Sequence, residues 1–221
     1  MEQTVLTSHQ SHFLELAKKE VTITNRYYLT GGTALAEFYL KHRYSEDLDF
    51  FSQHEVNEAG IIAFLDSVKE SLSISNVEFT RISGLFMYTL TFQDQTRLKI
   101  DFNEYPFKPV EHSFKKLGDL QIDSLYDIAI NKLASILGRS KARDFVDLYF
   151  CLKQENYSWE QLFGRLRDKF GVSYEEITVV TQFNHVQDVS DYPRMLVSFK
   201  KEEMIDFYLS EAKKLEKKIF K

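Results

Sequence analysis

Two aspartates, Asp47 and Asp49, stand one residue apart at the start of the apolar run DLDFF. In a β-strand alternate side chains point to one face and each residue advances about 3.3 Å, so the two carboxylates lie about 6–7 Å apart on the same face. Their repulsion is relieved by a cation between them or by a proton on one of them. Magnesium, a hard ion that prefers oxygen ligands, suits such a pair. Two solvated carboxylates at a sheet edge are the alternative interpretation.

A third carboxylate occupies a comparable position in the later run RLKIDFN. Apolar and polar residues alternate there, which predicts a strand with Asp101 on its polar face. If this strand lies beside 47–51, three carboxylates converge. Three carboxylates can hold two cations about 3.5–4 Å apart and support an in-line displacement at phosphorus.

A glycine pair, Gly31 and Gly32, precedes a helix predicted over 34–41, with Thr33 as its N-cap. Residues without a Cβ atom let backbone N–H groups approach an anion, and a helix N-terminus favours negative charge. The pair therefore indicates a phosphate cradle, with an ordinary tight turn as the alternative.

A lysine lies within the apolar stripe of the predicted helix SLYDIAINKLASIL. Lys132 either extends along its stem to water or presents its ammonium group to an anionic site such as a triphosphate. The following segment, RSKARDFVDLYF, carries Asp144 and Asp147. Asp147 could form a surface ion pair with Arg143 four residues earlier, or one of the two aspartates could orient Lys132 or a nucleotide.

The elements that must position these residues change in character along the chain. Helices are predicted at 8–20, 34–41 and 58–72, and strands at 26–29, 47–51, 77–83, 85–92 and 97–102. After Pro106 and Pro109 only helices are predicted, at 124–137, 141–152, 158–170, 174–183 and from 201 to the end. The fold class is therefore α+β, with a mixed β-sheet and flanking helices in residues 1–110 and a helical bundle in residues 111–221.

The composition is that of an ordinary globular protein, with 221 residues, 43% hydrophobic and 28% charged. A net charge of −5 excludes a protein that coats nucleic acid through an overall positive field. Local basic surfaces remain candidates for contact with a nucleic-acid acceptor, with solvated helix faces as the alternative. They are Lys115, Lys116, Arg139, Lys141, Arg143, Lys213, Lys214, Lys217, Lys218 and Lys221.

The cellular compartment is indicated by the cysteine count and by the hydropathy pattern. The single cysteine, Cys151, excludes an internal disulfide framework and is expected to be a small buried apolar residue in a reducing compartment. The sequence shows neither an export signal nor an apolar run of about 18 residues. We therefore expect a cytoplasmic protein without membrane contact.

The chain resembles the nucleotidyltransferase AbiEii/AbiGii toxin family, a branch of the DNA polymerase β-like nucleotidyltransferase superfamily. The similar segments, within about residues 28–150, are LTGGTALA, HRYSEDLDFF, LKIDFN and NKLASILGRSKARDFVDLY. The resemblance implies a nucleotidyltransferase fold in which Gly31, Gly32 and Thr33 contact the nucleotide phosphates. Asp47 and Asp49 would bind magnesium, with Ser45 in the same motif, and Asp101 would bind a second metal or accept the proton of the acceptor hydroxyl. Lys132 would be the site lysine, and Asp144 or Asp147 would be the later acidic motif.

These expectations combine into one function. The protein is expected to move a nucleoside monophosphate from an NTP to a hydroxyl acceptor, with two Mg²⁺ ions and release of pyrophosphate. The resemblance implies the toxin of a toxin–antitoxin or abortive-infection pair, with a cognate antitoxin encoded nearby and tRNA as an acceptor. The alternatives are a non-catalytic nucleotide-binding partner protein and a metal-dependent phosphodiesterase or nuclease.

Overall fold

The computed structural model describes residues 4–111, 114–155 and 157–219. Contact density divides the chain into unit 1, Met1–Ser124, and unit 2, Leu125–Lys221. These units are groups of mutually contacting residues and do not by themselves define domains. The predicted domain boundary near residue 110 therefore stays a prediction. None of the helices in the described ranges is both long enough and apolar enough to cross a membrane.

Unit 1 is built on a mixed β-sheet, as the sequence predicts. Its helices are α1 (Ser8–Ala17), α2 (Val21–Thr24), α3 (Gly31–Leu35) and α4 (Glu58–Val68), and its strands are β1 (Tyr28–Thr30), β2 (Asp47–Ser52), β3 (Ile74–Ile82), β4 (Leu85–Phe92), β5 (Arg97–Glu104), β6 (Lys115–Leu117) and β7 (Leu120–Ile122). The strand order is β3-β4-β5-β2-β1-β7-β6. The β2/β5 and β1/β7 pairs are parallel, and the remaining pairs are antiparallel.

Three local features differ from the predictions. The helix predicted over 34–41 begins at Gly31, changes to a π-helix over Ala36–Leu40 and ends at Lys41, which has a left-handed backbone with φ 49°. Strands β6 and β7 lie where only helices were predicted, and α2 was not predicted. These elements have three or four residues each, too few to show a period of hydrophobicity.

One face of the sheet forms the core of unit 1. Phe50 of β2 and Phe102 of β5 are register partners, and their rings stack with centroids 5.0 Å apart. Phe13 of α1 packs edge-on against Phe50, at 6.2 Å, and against Phe64 of α4, at 5.6 Å. Because side chains alternate along a strand, the residues next to Phe50 in β2 and next to Phe102 in β5 project from the opposite face.

Unit 2 consists of helices within its described residues. They are α5 (Leu125–Gly138), α6 (Ala142–Gln154), α7 (Trp159–Phe170), α8 (Glu176–Asn184), a 3₁₀ turn (His185–Gln187) and α9 (Lys201–Ile219). Its core contains Tyr208, whose hydroxyl donates to the backbone carbonyl of Phe145 at 2.9 Å. The predicted fold class, an α+β sheet domain followed by helices, is confirmed.

The helices of unit 2 bury an ion pair and a thiol. Lys169 of α7 donates to Asp127 of α5 at 2.7 Å, and both side chains are almost completely buried. Cys151 is fully buried in α6, as predicted, and burial raises the pKa of its thiol. The thiol is therefore protonated and shielded in the folded protein.

The start of β2 is held in place by Gln10 of α1. The Gln10 amide nitrogen donates to the carbonyls of Ser45 and Glu46 at 2.8 and 3.0 Å. The amide oxygen accepts from the backbone N–H of Thr7 at 2.9 Å. The buried amide thus joins the N-terminus of α1 to the loop that precedes Asp47.

Replacement of Gln10 by leucine should lower the free energy of unfolding by about 2–3 kcal/mol, because two carbonyls and one N–H lose their buried partner. Gln161 is the matched control, since it closes a similar capping box with Ser158 on α7 but is exposed. Gln161→Leu should cost no more than about 1 kcal/mol. Urea unfolding measures both, and equal losses would show that Gln10 acts only as a cap.

Candidate active site

The three predicted carboxylates lie on neighbouring strands of unit 1. In the parallel β2/β5 pair Asp49 stands opposite Asp101, and Asp47 stands opposite Lys99. All four side chains project from the face opposite the phenylalanine core, since they occupy alternate positions. The side chain of Asp101 is 10% exposed and that of Asp47 is 29% exposed. The structure therefore brings together the carboxylates that the sequence proposed separately.

Lys99 completes this group and was not predicted as a site residue. Its ammonium nitrogen lies 2.7 Å from Oδ2 of Asp101 and 3.8 Å from Oδ2 of Asp47. Partial burial by itself would lower the pKa of Lys99, but the hydrogen bond to Asp101 and the charges of Asp47, Asp101 and Asp49 outweigh it and raise the pKa above its usual value. The signal in the sequence is the alternation itself, which puts residue 99 on the face of Asp101.

The carboxylates fit a divalent metal by their chemistry and by the strand register. Asp47, Asp49 and Asp101 supply the oxygen donors that Mg²⁺ prefers. Within the described ranges, however, no group of three or more His, Cys, Asp or Glu side chains is arranged as a ready ligand cage. Lys99 places a positive charge beside Asp47 and Asp101.

The first glycine of the pair lies directly against one of these carboxylates. Gly31 follows β1 and has a left-handed backbone with φ 74°. A Cβ atom at this position would overlap the carboxylate of Asp49. Glycine is therefore required here both for its backbone conformation and for the close approach of the turn to Asp49.

The second glycine approaches a different pair of polar side chains. A Cβ atom on Gly32 would overlap the guanidinium group of Arg43 and lie 2.9 Å from the hydroxyl oxygen of Ser45. Arg43 is 3% exposed, and its Nη1 donates to the carbonyl of Tyr44 at 2.8 Å. The turn thus lies beside Ser45, the residue that the resemblance puts in the motif of Asp47 and Asp49. It also lies beside an arginine that no periodic pattern could have indicated.

Thr33 is not the helix cap that the sequence predicts. The helix begins at Gly31, three residues before the predicted start, and its N-cap is Thr30. The Thr33 hydroxyl donates instead to the backbone carbonyl of Asp47. This bond joins the glycine turn to the start of β2, and Thr33 thereby fixes the distance between the two motifs.

Unit 2 holds the remaining predicted residues in a buried cluster. The ammonium group of Lys132 on α5 lies 2.9 Å from Asp144 and 2.8 Å from Asp147, both on α6, and the two carboxylates are fully buried. Arg139 also contacts Asp144, at 3.0 Å. Lys132 is itself buried, and Asp147 lies against it, whereas Arg143 is exposed. Of the alternatives open from the sequence, the geometry agrees with aspartates that orient Lys132.

The predicted basic surfaces differ in how free their side chains are. Lys115 donates to the carbonyl of Phe38 at 2.8 Å and lies over the ring of Tyr39. Lys141 is 3.8 Å from Asp191. Exposed residues of this set include Lys116, Arg143, Lys213, Lys214, Lys217 and Lys218, whereas Lys221 lies outside the described residues. The largest group of exposed basic side chains is thus on the last turns of α9.

The fold is shared with known structures. Two solved structures from Helicobacter pylori share it, at TM-scores of 0.61 and 23% identity. One, described as a "putative nucleotidyltransferase", aligns over 96% of this chain and 97% of its own, and the other, JHP933, over 94% of this chain and 90% of its own. The chain therefore has the same fold as these two structures.

The sequence identifies the particular family. Residues 16–210 match the family described as Nucleotidyl transferase AbiEii toxin, Type IV TA system, and the chain belongs to this family. Uncharacterized protein aq_aa25 from Aquifex aeolicus (strain VF5) is 32% identical over 154 residues, which are 67% of this chain and 68% of that protein. The predicted resemblance is confirmed, and the protein is an enzyme of the nucleotidyltransferase class. Which side chains take part in transfer stays a prediction.

Replacement of Gly31 by alanine should destabilise unit 1 by about 1–2 kcal/mol and should displace Asp49, because the new methyl group is strained and overlaps the carboxylate. Gly164 is the control, since it lies within α7 with open space around its Cβ position. Gly164→Ala should stabilise the protein by about 0.5–1 kcal/mol. Thermal unfolding measures both, and similar shifts in the two variants would contradict the close approach.

Replacement of Lys132 by methionine should lower the free energy of unfolding by about 3–5 kcal/mol, because Asp144 and Asp147 lose a buried partner. The control is Lys141→Met, whose ion pair with Asp191 is exposed and should change stability by less than about 1 kcal/mol. Urea unfolding is the measurement. Wild-type stability of the Lys132 variant would mean that the cluster does not stabilise the packing of α5 on α6. Any loss of activity in this variant must be corrected for the fraction of the variant that is folded.

Proposed function

We propose that this protein is a magnesium-dependent nucleotidyltransferase that moves a nucleoside monophosphate from an NTP to a hydroxyl group and releases pyrophosphate. The observation that carries the proposal is the β2/β5 register, which puts Asp49 opposite Asp101 with Asp47 on the same face. Three carboxylates on one face have no role in the core of the sheet, and they match the donor set that Mg²⁺ prefers.

The residues of unit 1 have separate roles in this proposal. Asp47, Asp49 and Asp101 would hold the metal ions, which neutralise charge on the phosphoryl oxygens when bound. Asp101 alternatively accepts the proton of the attacking hydroxyl. The backbone of the glycine turn, Gly31–Thr33, would bind the nucleotide phosphates, because only glycine lets the turn come so close to Asp49.

Two further side chains support nucleotide binding at the turn. Arg43 lies beside Gly32 and supplies a permanent positive charge in planar geometry suited to phosphate. The hydroxyl of Ser45 lies on the same side of Gly32 and can donate a hydrogen bond. We propose that both contact the phosphates, with the carbonyl of Ser45 held by Gln10.

We propose that Lys132 is the site lysine of the family. Its ammonium group is fixed in direction by Asp144 and Asp147. These aspartates therefore act on the nucleotide through Lys132 rather than by direct contact. This role rests on the family resemblance, with the geometry inside unit 2 as its support.

The biological setting is proposed from the family. We infer that the protein is the toxin of a pair whose antitoxin is encoded nearby, that it acts in the cytoplasm, where NTPs are abundant, and that tRNA is an acceptor. Exposed lysines on the last turns of α9 suit contact with a polyanion. Expression in bacteria with and without the neighbouring open reading frame, followed by sequencing of RNA 3′ ends, tests this setting.

Replacement of Asp47 by alanine should reduce nucleotidyl transfer by about 10³-fold or more, because a metal ligand worth several kcal/mol to the transition state is lost. The fold should persist, since the variant removes one of several close negative charges. Asp66→Ala is the control, as Asp66 is an exposed carboxylate on α4. Transfer from radiolabelled NTPs measures the effect, and wild-type activity in Asp47→Ala would overturn the site assignment.

The same assay separates the proposed reaction from its alternatives. Incubation with tRNA and each NTP lengthens or labels the RNA if the protein is a transferase, and shortens it if the protein is a nuclease. NTP binding measured by calorimetry without release of pyrophosphate would favour a non-catalytic binding protein. Both alternative outcomes would contradict the proposal.

A further inference from the structure

Lys99 is a cation that lies against two of the carboxylates in unit 1. Its ammonium nitrogen contacts Asp101 at 2.7 Å and lies 3.8 Å from Asp47. The two aspartates belong to different strands, so the contacts join β2 to β5 on the face of the proposed site. A lysine that contacts carboxylates from two strands differs from the exposed pairs within one helix, such as Arg165 with Asp168.

The sequence forces this arrangement through the strand register. Lys99 and Asp101 are two residues apart on β5 and share a face, and the parallel pairing puts Lys99 directly opposite Asp47. The lysine side chain is 39% exposed, whereas that of Asp101 is 10% exposed. The ammonium group thus lies nearer to solvent than the buried carboxylate of Asp101, where it can move away when another cation takes its place.

We propose that Lys99 is a positioning residue that acts as the resident counter-ion of Asp47 and Asp101 in the metal-free protein and gives way when divalent cations bind. This inference rests on the proposed magnesium-dependent function. In this role Lys99 does not contact the reacting atoms. It offsets the repulsion between the neighbouring carboxylates Asp47 and Asp101.

The direction of the effect follows from the charges. Without metal, the ammonium group offsets repulsion among Asp47, Asp49 and Asp101 and stabilises the pairing of β2 with β5. A divalent cation entering the same group is repelled by the ammonium group and competes with it for the carboxylates. Lys99 should therefore raise the stability of the metal-free protein and lower its affinity for metal.

A purely structural ion pair predicts a different outcome. If Lys99 only joined two strands, its loss would destabilise the protein equally with and without metal. Metal affinity would then stay the same or fall, because the carboxylates would be less well held. An increase in metal affinity on removal of Lys99 is the result that a structural role does not give.

The test compares two neutral variants on the same strand. Lys99→Met removes the charge and keeps an unbranched side chain. Arg97→Met is the matched control, because Arg97 projects from the same face of β5 and pairs with Glu78, at 2.7 Å, away from the carboxylates. Lys99→Arg retains the charge and should keep wild-type affinity. Lys99→Gln is a second neutral variant, used if Lys99→Met does not fold.

Two measurements are made on the full chain without nucleotide. Calorimetric titration with Mg²⁺ or Mn²⁺ at low ionic strength should show that Lys99→Met binds metal about five- to tenfold more tightly than wild type, with a smaller difference at high salt. Thermal unfolding in EDTA should show a lower Tm for Lys99→Met, and added Mg²⁺ should restore it. Arg97→Met should change affinity by less than about twofold, because exposed pairs are weak.

Asp47→Ala in the same titration separates failure of this inference from failure of the proposed function. If wild type binds no divalent cation, or binds it as well without Asp47, the metal-dependent function is wrong and the role of Lys99 falls with it. If Asp47→Ala weakens binding but Lys99→Met leaves it unchanged or weaker, only the role of Lys99 is wrong. Tighter binding by Lys99→Met together with a lower Tm in EDTA supports the inference.

Discussion

The parallel pairing of β2 with β5 is the constraint on which the rest of unit 1 depends. The same register puts Phe50 against Phe102 on one face and Asp49 against Asp101 on the other. Because side chains alternate with a period of two, a slip by one residue would bring the carboxylates into the core and the phenylalanines to solvent. The hydrophobic contacts of the core therefore also fix the alignment of the charged face.

Much of this arrangement is predictable from the sequence, because alternation along DLDFF and RLKIDF assigns each side chain to a face. The alternation does not identify the partner strand, since β2 and β5 are separated by about fifty residues and by the β3–β4 hairpin. Alternation puts Lys99 on the face of Asp101, but its contact with Asp47 depends on the pairing of the two strands. Arg43 and the π-helix have no periodic signal, as a loop and a local change of helix type leave none.

Lysine is paired with aspartates in both units, but with different physical consequences. The ammonium group of Lys132 is held by Asp144 and Asp147 where neither carboxylate is exposed, so its removal leaves buried charge. Lys99 is partly exposed and can exchange its partners for water or for another cation. The first pair is suited to fixing helices and the second to a site whose charge changes during a reaction cycle.

The buried thiol of α6 can report how often this helix separates from its neighbours. Cys151 is the single cysteine of the chain and follows Asp147 by one helical turn. Alkylating reagents reach it only when α6 separates from its neighbours, so the labelling rate measures that opening on the native protein. Unit 1 contains no cysteine. Mass spectrometry of the labelled chain therefore follows the kinetics of unit 2 alone, without an engineered probe.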